Sequence, residues 1–175
     1  MIDKQQTNLA DVNYLNLDHV AKKVKDATAY VCGLGFYEFS LNGEKVGDSE
    51  FAPLWSDYDK SVYYNTYDVT SQVKKGGNAI GVLLGNGFYN VQGGRYRKLQ
   101  ISFGAPTLRF RMVVNYEDGT SETIVSGKDW KYDFSPVLFN CIYGGEDYDA
   151  RREQKGWNMF GFKEQDWRPV VIQEA

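Results

Sequence analysis

The sequence predicts an all-β domain, an antiparallel β-sandwich or jelly roll, on three observations. Short stretches in which apolar and polar residues alternate recur along most of the chain, and glycine-rich turns separate them. Helical periodicity is almost absent. Aromatic residues make up 15% of the 175 residues, with 13 Tyr and 4 Trp, and large rings fit the pleated surface of a sheet.

The chain begins with a lead-in that is followed by a hairpin. We assign residues 1–26 to a lead-in or linker with one short helix near LDHVAKKVKD, and residues 27–175 to the sandwich domain. The stretch ATAYVCGLGFYEFSL alternates up to Leu41 and then meets Asn42-Gly43. Both residues of that pair tolerate positive φ, which predicts a tight hairpin with EKVGD as the return strand.

The middle of the chain predicts four more strands in order. SVYYNTYDV (residues 61–69) alternates, and TSQVKKGGN after it predicts a single helical turn. NAIGVLLG is a nearly continuous apolar run, typical of a central strand covered on both faces. TLRFRMVVNY alternates clearly, and the turn EDG leads from it into TSETIV, a second hairpin. One face of TLRFRMVVNY carries Leu108, Phe110, Met112, Val114 and Tyr116.

The last third predicts two short strands and an irregular tail. DWKYDF and VLFNCIYGGE are the strands, and Trp130 in the first of them is expected in the core. The tail from Tyr148 to Pro169 is polar, contains tryptophan and has no clear period. We expect it to wrap the edge of the sandwich or to lead into another domain.

Composition and charge narrow the classes of partner. A net charge of −3 and a pI near 5.2 argue against nucleic acid, since no basic stripe stands out. No apolar run is long enough to span a bilayer, so no membrane partner is expected, and the polar start has no signal-peptide core. Two cysteines are too few for a disulfide scaffold. Cys32 fits a small buried residue in a strand, and whether it pairs with Cys141 stays open.

Motifs for catalysis are weak, and no catalytic residue is assigned. The single histidine, His19, is expected at the solvated surface of the lead-in, and no nucleophile elbow or metal-ligand spacing occurs. A glycosidase needs only a pair of carboxylates. The clustered acids Asp57, Asp59, Glu146, Asp147 and Asp149 are candidates for such a pair, although charged runs of this kind are usually solvated.

Two predicted loops carry residue types that bind sugars. Aromatic faces pack against the C–H patches of a sugar, and carboxylates, amides and hydroxyls bond its hydroxyl groups. The stretch LLGNGFYNVQGG lacks the following helix of a phosphate-binding loop, so we interpret it as a long sandwich loop. The candidate carbohydrate-binding residues are Trp55, Asp57 and Tyr58 in PLWSDYD, and Asn86, Phe88 and Tyr89 in GNGFYN. The alternative is that Trp55 and Phe88 are core anchors.

Several motifs in the same order resemble one family. AYVCGLGFYEFSLNGEKVGD, LWSDYDKSVYYNTYDVTSQVKKGGNAIGVLLGNGFY and GGEDYDAR…GWNMFGF…DWRPV are similar to the N-terminal β-sandwich domain of bacterial α-L-rhamnosidases, over about residues 27–171. A looser likeness extends to the sugar-binding jelly rolls of β-galactosidase-type enzymes, a galactose-binding-domain-like fold. The resemblance implies a periplasmic or secreted glycoside hydrolase as the parent, whose acidic catalytic residues lie in a separate (α/α)₆ barrel and release terminal L-rhamnose with inversion.

For this chain the resemblance implies a non-catalytic accessory domain that binds rhamnosides or pectic polysaccharide, packs against the catalytic barrel, or does both. A free-standing lectin-like module, a small self-contained glycosidase and a purely structural domain are the alternatives. Some related sandwiches bind rhamnose through calcium, which makes calcium a candidate cofactor, and Asp57, Asp59 and Asn86 are oxygen donors of the right kind. Family members often read GDGW where this chain has Gly85-Asn86-Gly87-Phe88. The difference removes a carboxylate and shrinks the stacking ring.

Overall fold

The structure, a computed structural model, describes residues 10–91, 95 and 99–173, apart from the side chains of Asp18 and His19. Among the described residues it is all-β with a single 3-10 turn at Ala150–Arg152, and no helix has the length and apolar character to cross a bilayer. The strands are β1 (Asp11–Val20), β2 (Val24–Leu34), β3 (Phe36–Leu41), β4 (Glu44–Lys45), β5 (Asn65–Asp68), β6 (Gly76–Gly85), β7 (Asn90–Val91), β8 (Ile101–Ser102), β9 (Thr107–Tyr116), β10 (Ser121–Val125), β11 (Lys131–Phe134), β12 (Val137–Cys141), β13 (Gly145–Tyr148) and β14 (Arg168–Pro169).

Two antiparallel sheets form the sandwich and confirm the predicted fold class. The larger has the order β14-β11-β1-β6-β3-β4, and the smaller has the order β10-β9-β2-β5. Two short hairpins, β12-β13 and β7-β8, are attached to them. Strands that are far apart in sequence lie side by side, so each sheet is assembled from both halves of the chain.

The core lies between the two sheets. It contains aliphatic and aromatic side chains that alternate along the strands, as the period of two in the sequence predicts. On β9 the predicted face is confirmed, because Phe110, Met112 and Val114 are at most 1% exposed. Trp130 is also buried in the core, where its indole N–H donates to the carbonyl of Val125.

Both predicted hairpins are present. Asn42 and Gly43 have φ values of 56° and 85°, and the turn joins β3 to β4. Only an Asn-Gly type of pair adopts two successive positive φ values at low cost. The turn Glu117–Gly119 joins β9 to β10, as its sequence predicts.

On the outer face of the larger sheet, four of the five outward-facing residues of β6 are small. Residues 77, 79, 81, 83 and 85 point outward and read Gly, Ala, Gly, Leu, Gly. A Cβ atom at Gly81 would lie 2.7 Å from the Asn158 Cβ and 2.8 Å from Trp157 Cζ3. The glycine therefore creates the space in which residues 157–158 lie flat on the sheet.

The C-terminal tail fills that space and forms a third layer. Trp157, Phe162 and Trp167 pack on Val12 and Tyr14 of β1, and the Tyr14 hydroxyl donates to the Met159 carbonyl at 3.1 Å. The tail is irregular, as predicted, but it covers a sheet face as well as adding β14 at the sheet edge. β6 is accordingly covered on both sides, which confirms the reading of its continuous apolar run.

The structure differs from the sequence-based expectation between residues 11 and 26. The short helix predicted near residues 17–26 is wrong, because these residues form the end of β1 and the start of β2. β1 is hydrogen-bonded to β6 on one side and to β11 on the other. Pairing on both edges overrides the weak local helical pattern. His19 lies on β1, and its side chain is outside the described residues.

Two smaller expectations are also refined. The strand predicted over residues 61–69 is limited to β5, and residues 61–64 before it are exposed and without strand pairing. The cysteine question is settled in favour of two free thiols, with Cys32 partly buried on β2 and Cys141 buried at the end of β12.

Candidate functional site

Two loops at one end of the sandwich bring most of the predicted sugar-binding residues together. Residues 54–59 follow β4, and residues 86–89 follow β6. Trp55 stacks on Phe88, with ring centroids 4.6 Å apart and planes inclined by 10°. Tyr58 meets Tyr89 edge to face at 5.1 Å. Each loop therefore supplies one member to each of two aromatic pairs.

The first group of rings, which we call the Trp55 cluster, consists of Trp55, Phe88, Phe36, Phe51 and Tyr143. Phe88 is its centre, because it contacts Trp55 face to face and both Phe36 and Tyr143 edge to face. Trp55 is 53% exposed and Phe51 is 66% exposed. The alternative of a core anchor is therefore wrong for Trp55, whose ring belongs to the surface.

The second group, which we call the Tyr58 cluster, consists of Tyr58, Tyr89 and Phe103. Tyr89 stacks on Phe103 with centroids 5.7 Å apart, and its hydroxyl donates to the Phe103 carbonyl at 3.2 Å. Burial raises the pKa of the Tyr58 phenol, and Cys32 and Tyr89 add to the effect. Tyr58 therefore stays neutral near physiological pH and keeps a hydroxyl that can donate as well as accept.

Gly87 sets the position of Phe88. Its φ is 51°, and a Cβ atom there would lie 2.8 Å from the Phe36 backbone nitrogen. A side chain at this position would push the loop away from β3 and separate Phe88 from Phe36. The Asn-Gly pair at 86–87 thus serves to hold the loop close to the sheet.

Asn86 differs from the other predicted binding residues, because it is fully buried. Its amide nitrogen Nδ2 donates to the Asn140 carbonyl at 3.0 Å, and its Oδ1 accepts from Asn90 Nδ2 at 2.7 Å. Its backbone N–H donates to Asn140 Oδ1 at 2.7 Å. These bonds tie the loop to β12, so Asn86 supports the exposed aromatic surface from below and is not part of it.

We expect Asn86→Ala to lower the free energy of unfolding by about 2 kcal/mol, since buried groups lose their hydrogen-bond partners. Asp57→Ala, at an exposed position in the facing loop, should change it by no more than about 0.5 kcal/mol. Denaturant unfolding of both variants measures the difference. Equal and small effects would show that the buried amide network does not hold the loop.

The acidic residues of the first loop are exposed, and one of them is paired with a lysine. Asp57 is exposed and pairs with Lys60 Nζ at 2.7 Å, and its carbonyl accepts from the Lys60 and Ser61 backbone N–H groups. Asp59 is exposed as well, while Asn86 Oδ1 already accepts from Asn90. Among the described residues no group of three His, Cys, Asp or Glu side chains could hold a metal ion. Two of the three candidate calcium donors, Asp57 and Asn86, therefore already have side-chain partners.

Two of the remaining clustered acids, Asp147 and Asp149, are held in ion pairs, while Glu146 is exposed on β13. Asp147 pairs with Arg95, whose guanidinium lies over the Phe139 ring at 4.7 Å. Asp149 caps the 3-10 turn and grips Arg151 through both carboxylate oxygens, which lowers the pKa of Asp149 to about 2. A carboxyl held ionised in this way is unsuited to general-acid catalysis.

A cleft of about 310 Å³ lies on the outer face of the larger sheet, between the tail and β12. Its apolar lining includes Val12, Leu83 and Trp157. Glu38 and Glu153 also line it, but both are exposed, and Glu38 lies 3.5 Å from Lys45 Nζ. A glycosidase acid needs an apolar surround that favours its neutral form. The cleft has the size of a sugar site without that feature.

Sequence reasoning missed four rings of the aromatic surface, namely Phe36, Phe51, Phe103 and Tyr143. A signal was present for two of them. Phe103 directly precedes Gly104, and Tyr143 precedes Gly144-Gly145 in the turn of the β12-β13 hairpin. An aromatic residue next to a glycine turn is placed at a strand end, where loops of a sandwich converge. The cleft was missed because its walls come from three distant parts of the chain.

Comparison with known proteins gives a consistent picture. The family model described as the alpha-L-rhamnosidase N-terminal domain matches residues 22–175. An alpha-L-rhamnosidase of Formosa agariphila is 43% identical over 159 residues, which cover 89% of this chain and 16% of that protein. The chain thus spans about a sixth of the length of that relative.

Solved structures agree in fold. The alpha-L-rhamnosidase from Dictyoglumus thermophilum matches with a TM-score of 0.86 and 39% identity, over 95% of this chain and 18% of that one. The Streptomyces avermitilis alpha-L-rhamnosidase, solved in complex with L-rhamnose, matches with a TM-score of 0.87 and 39% identity, over 94% of this chain and 16% of that one.

Proposed function

This chain belongs to the family of α-L-rhamnosidase N-terminal domains, and from that premise we propose that it is a non-catalytic accessory domain that binds carbohydrate through its aromatic loop surface. The rhamnosidase resemblance suggests L-rhamnose-containing glycosides as the ligand and the catalytic domain of the same parent chain as the neighbour. We expect the parent to act outside the cytoplasm, on glycosides or pectic polysaccharide.

The observation that carries the proposal is the stacked pair Trp55–Phe88. Phe88 covers one face of the indole, while the Trp55 side chain remains 53% exposed. The supported ring is therefore held in a fixed orientation with apolar surface open to solvent. Such a pre-arranged ring binds the C–H face of a sugar at little cost in side-chain entropy. Tyr58 and Asp57 in the same loop provide hydroxyl and carboxylate partners for the sugar hydroxyls.

We expect Trp55→Ala to weaken binding of L-rhamnose or a rhamnose-terminated oligosaccharide at least tenfold, a loss of about 1.4 kcal/mol. Isothermal titration or a chemical-shift titration with and without calcium measures it. Tyr64→Ala is the matched control, because Tyr64 is 64% exposed and belongs to a separate pair with Tyr30. Binding that survives in Trp55→Ala and is lost in Tyr64→Ala would move the site to the Tyr30–Tyr64 pair.

Packing against the parent enzyme is the second candidate function, and the exposed rings Phe51 and Trp55 favour it because apolar patches of this kind also form interfaces. The two functions separate by experiment. A domain that serves only to pack would show no sugar binding by itself, and Trp55→Ala would lower the stability of the full-length enzyme instead.

We expect no hydrolysis of aryl α-L-rhamnosides by this chain alone. The comparison of the wild-type chain with Asp57→Asn, Asp149→Asn and Glu38→Gln tests this directly. Turnover that one of these substitutions abolishes would place catalysis in the sandwich and overturn the accessory role.

A further inference from the structure

The cleft on the outer face of the larger sheet has a defined floor. Val12 of β1, Leu83 of β6 and Glu38 of β3 are cross-strand neighbours at one level of the sheet. One level along, Gly81 is covered by residues 157–158 of the tail, and at the other end Gly85 lies beneath the Asn140 side chain. Leu83 and its neighbours Val12 and Glu38 lie between these two covered positions, and they form the floor of the cleft.

The tail wall of the cleft is firmly held. Gln154 donates from Nε2 to Asp133 Oδ2 at 2.7 Å and accepts from the Trp167 indole N–H at 2.8 Å. Arg152 belongs to the 3-10 turn that Asp149 caps. Arg152 and Lys155 lie within two residues of the anchored Gln154, so the backbone that carries them is fixed. Both line the cleft together with Trp157.

The acidic side chains of the cleft have hydrogen-bond or ion-pair partners within the protein, and the basic side chains have none in the described part of the chain. Glu38 lies 3.5 Å from Lys45 Nζ, and Glu153 accepts from the Tyr148 hydroxyl. The side chains of Arg152 and Lys155 form no hydrogen bond or ion pair with any residue that the structure describes. The charge of Arg152 helps to lower the pKa of Asp149, but Arg151 binds both oxygens of that carboxylate. The cleft therefore offers a ligand two cationic side chains that no described carboxylate pairs with, beside the carboxylates of Glu38 and Glu153.

We propose that the cleft binds a saccharide that bears a carboxylate. The ligand is a uronic acid, either as a single sugar or as part of a disaccharide. Val12, Leu83 and Trp157 receive the apolar face of the ring, and Arg152 and Lys155 pair with the carboxylate. A guanidinium forms two parallel hydrogen bonds with such a group. The cleft volume of about 310 Å³ lies at the lower end of the range for small-ligand pockets.

This site is separate from the aromatic loop surface of the proposed function. It shares no residue with the Trp55 cluster or the Tyr58 cluster, although Phe36 and Glu38 are neighbours on the same face of β3. Its ligand also differs in charge from L-rhamnose, which is neutral. The two proposals can therefore fail independently.

The test is a titration of the whole chain with α-1,4-linked digalacturonate and with neutral digalactose of the same linkage. We expect the uronate to bind and the neutral disaccharide to bind at least tenfold more weakly. Arg152→Gln and Lys155→Gln should each weaken uronate binding about tenfold, as the loss of a charge-assisted hydrogen bond requires. Glu38→Gln should leave it equal or strengthen it, because a repelling charge is removed.

Two controls make the outcome decisive. Lys128→Gln removes an exposed lysine before β11 and should leave uronate binding unchanged. Trp55→Ala should do the same, although it weakens binding of rhamnose. Equal affinity for the two disaccharides, absence of uronate binding, or a loss in Lys128→Gln as large as in Lys155→Gln would overturn the inference. Loss of uronate binding in Trp55→Ala would assign the anion to the loop surface instead.

Discussion

Replacing Gly81 by valine should lower the free energy of unfolding by about 3 kcal/mol, the upper part of the range for overpacked cores. In an open strand position the same change would be slightly favourable, because glycine weakens a strand and valine suits it. Here the new Cβ would meet Asn158 Cβ at 2.7 Å and Ser40 Oγ at 2.8 Å. The first of these atoms is close to the backbone and cannot turn away.

In the Gly81→Val variant we expect the C-terminal tail to detach from the face of the larger sheet. Trp157 lies next to Gly81, so its fluorescence and the proteolytic sensitivity of residues 150–167 report the detachment directly. Gly127→Ala is the matched control, because a Cβ there would meet only the Val125 carbonyl oxygen at 4.0 Å. It should change the stability by less than about 0.5 kcal/mol. Equal stability of the two variants would show that the tail is not an integral layer of the domain.

The alternation of apolar and polar residues predicts the strands well. It predicts only in part which faces of those strands are buried. In β9 the alternation alone identifies the buried face, and in β6 the unbroken apolar run indicates cover on both sides. Which residues cover the outer face of β6 could not be predicted in this way. The cover depends on Gly77, Gly81 and Gly85 receiving Phe160, Trp157 and Asn140, which are separated from them by more than fifty residues.

β1 shows where local pattern fails. Its partners β6 and β11 begin about 65 and 120 residues later in the chain, and the stretch LDHVAKKVKD carries no strand signal strong enough to reveal them. Strand formation at this position is a property of the assembled sheet. Secondary structure that depends on non-local pairing is therefore the part that a single sequence leaves out.

At the candidate site, too, the sequence predicted some features and not others. Trp55, Tyr58, Phe88 and Tyr89 lie on the two predicted loops and contact one another as pairs. Residue type did not distinguish Asn86, which faces inward, from Asp57, which faces solvent. The difference arises from Asn140, whose backbone and side chain offer partners to Asn86 across the loop.

Asp11 provides the second large effect, and its sign is unusual for a carboxyl group. Its cross-strand neighbours are Phe134 and the core residue Leu84. Burial raises the pKa of Asp11 from 3.8 to about 7, with Arg168 opposing the rise and Asp133 adding to it. The folded protein therefore holds a proton that the unfolded chain releases above about pH 4.

Stability should consequently fall as the pH rises from about 4 to 7, because the folded state binds more protons than the unfolded state in that window. Asp11→Asn removes the ionisable group with little change in shape. At pH 8 we expect it to raise the free energy of unfolding by on the order of 3 kcal/mol. At pH 4, where the wild-type carboxyl is mostly protonated in the folded state, the gain should be small.

Denaturant unfolding of both proteins at pH 4, 5, 6, 7 and 8 measures the effect as a difference, in which the other titrating groups cancel. Asp149→Asn is the matched control, since the pKa of Asp149 is lowered to about 2 and its contribution is lost only as the pH falls through the acid range. It should leave the slope between pH 5 and 7 unchanged. A parallel stability profile for Asp11→Asn and wild type would mean that Asp11 ionises freely at the end of β1, and that Arg168 fully offsets its burial.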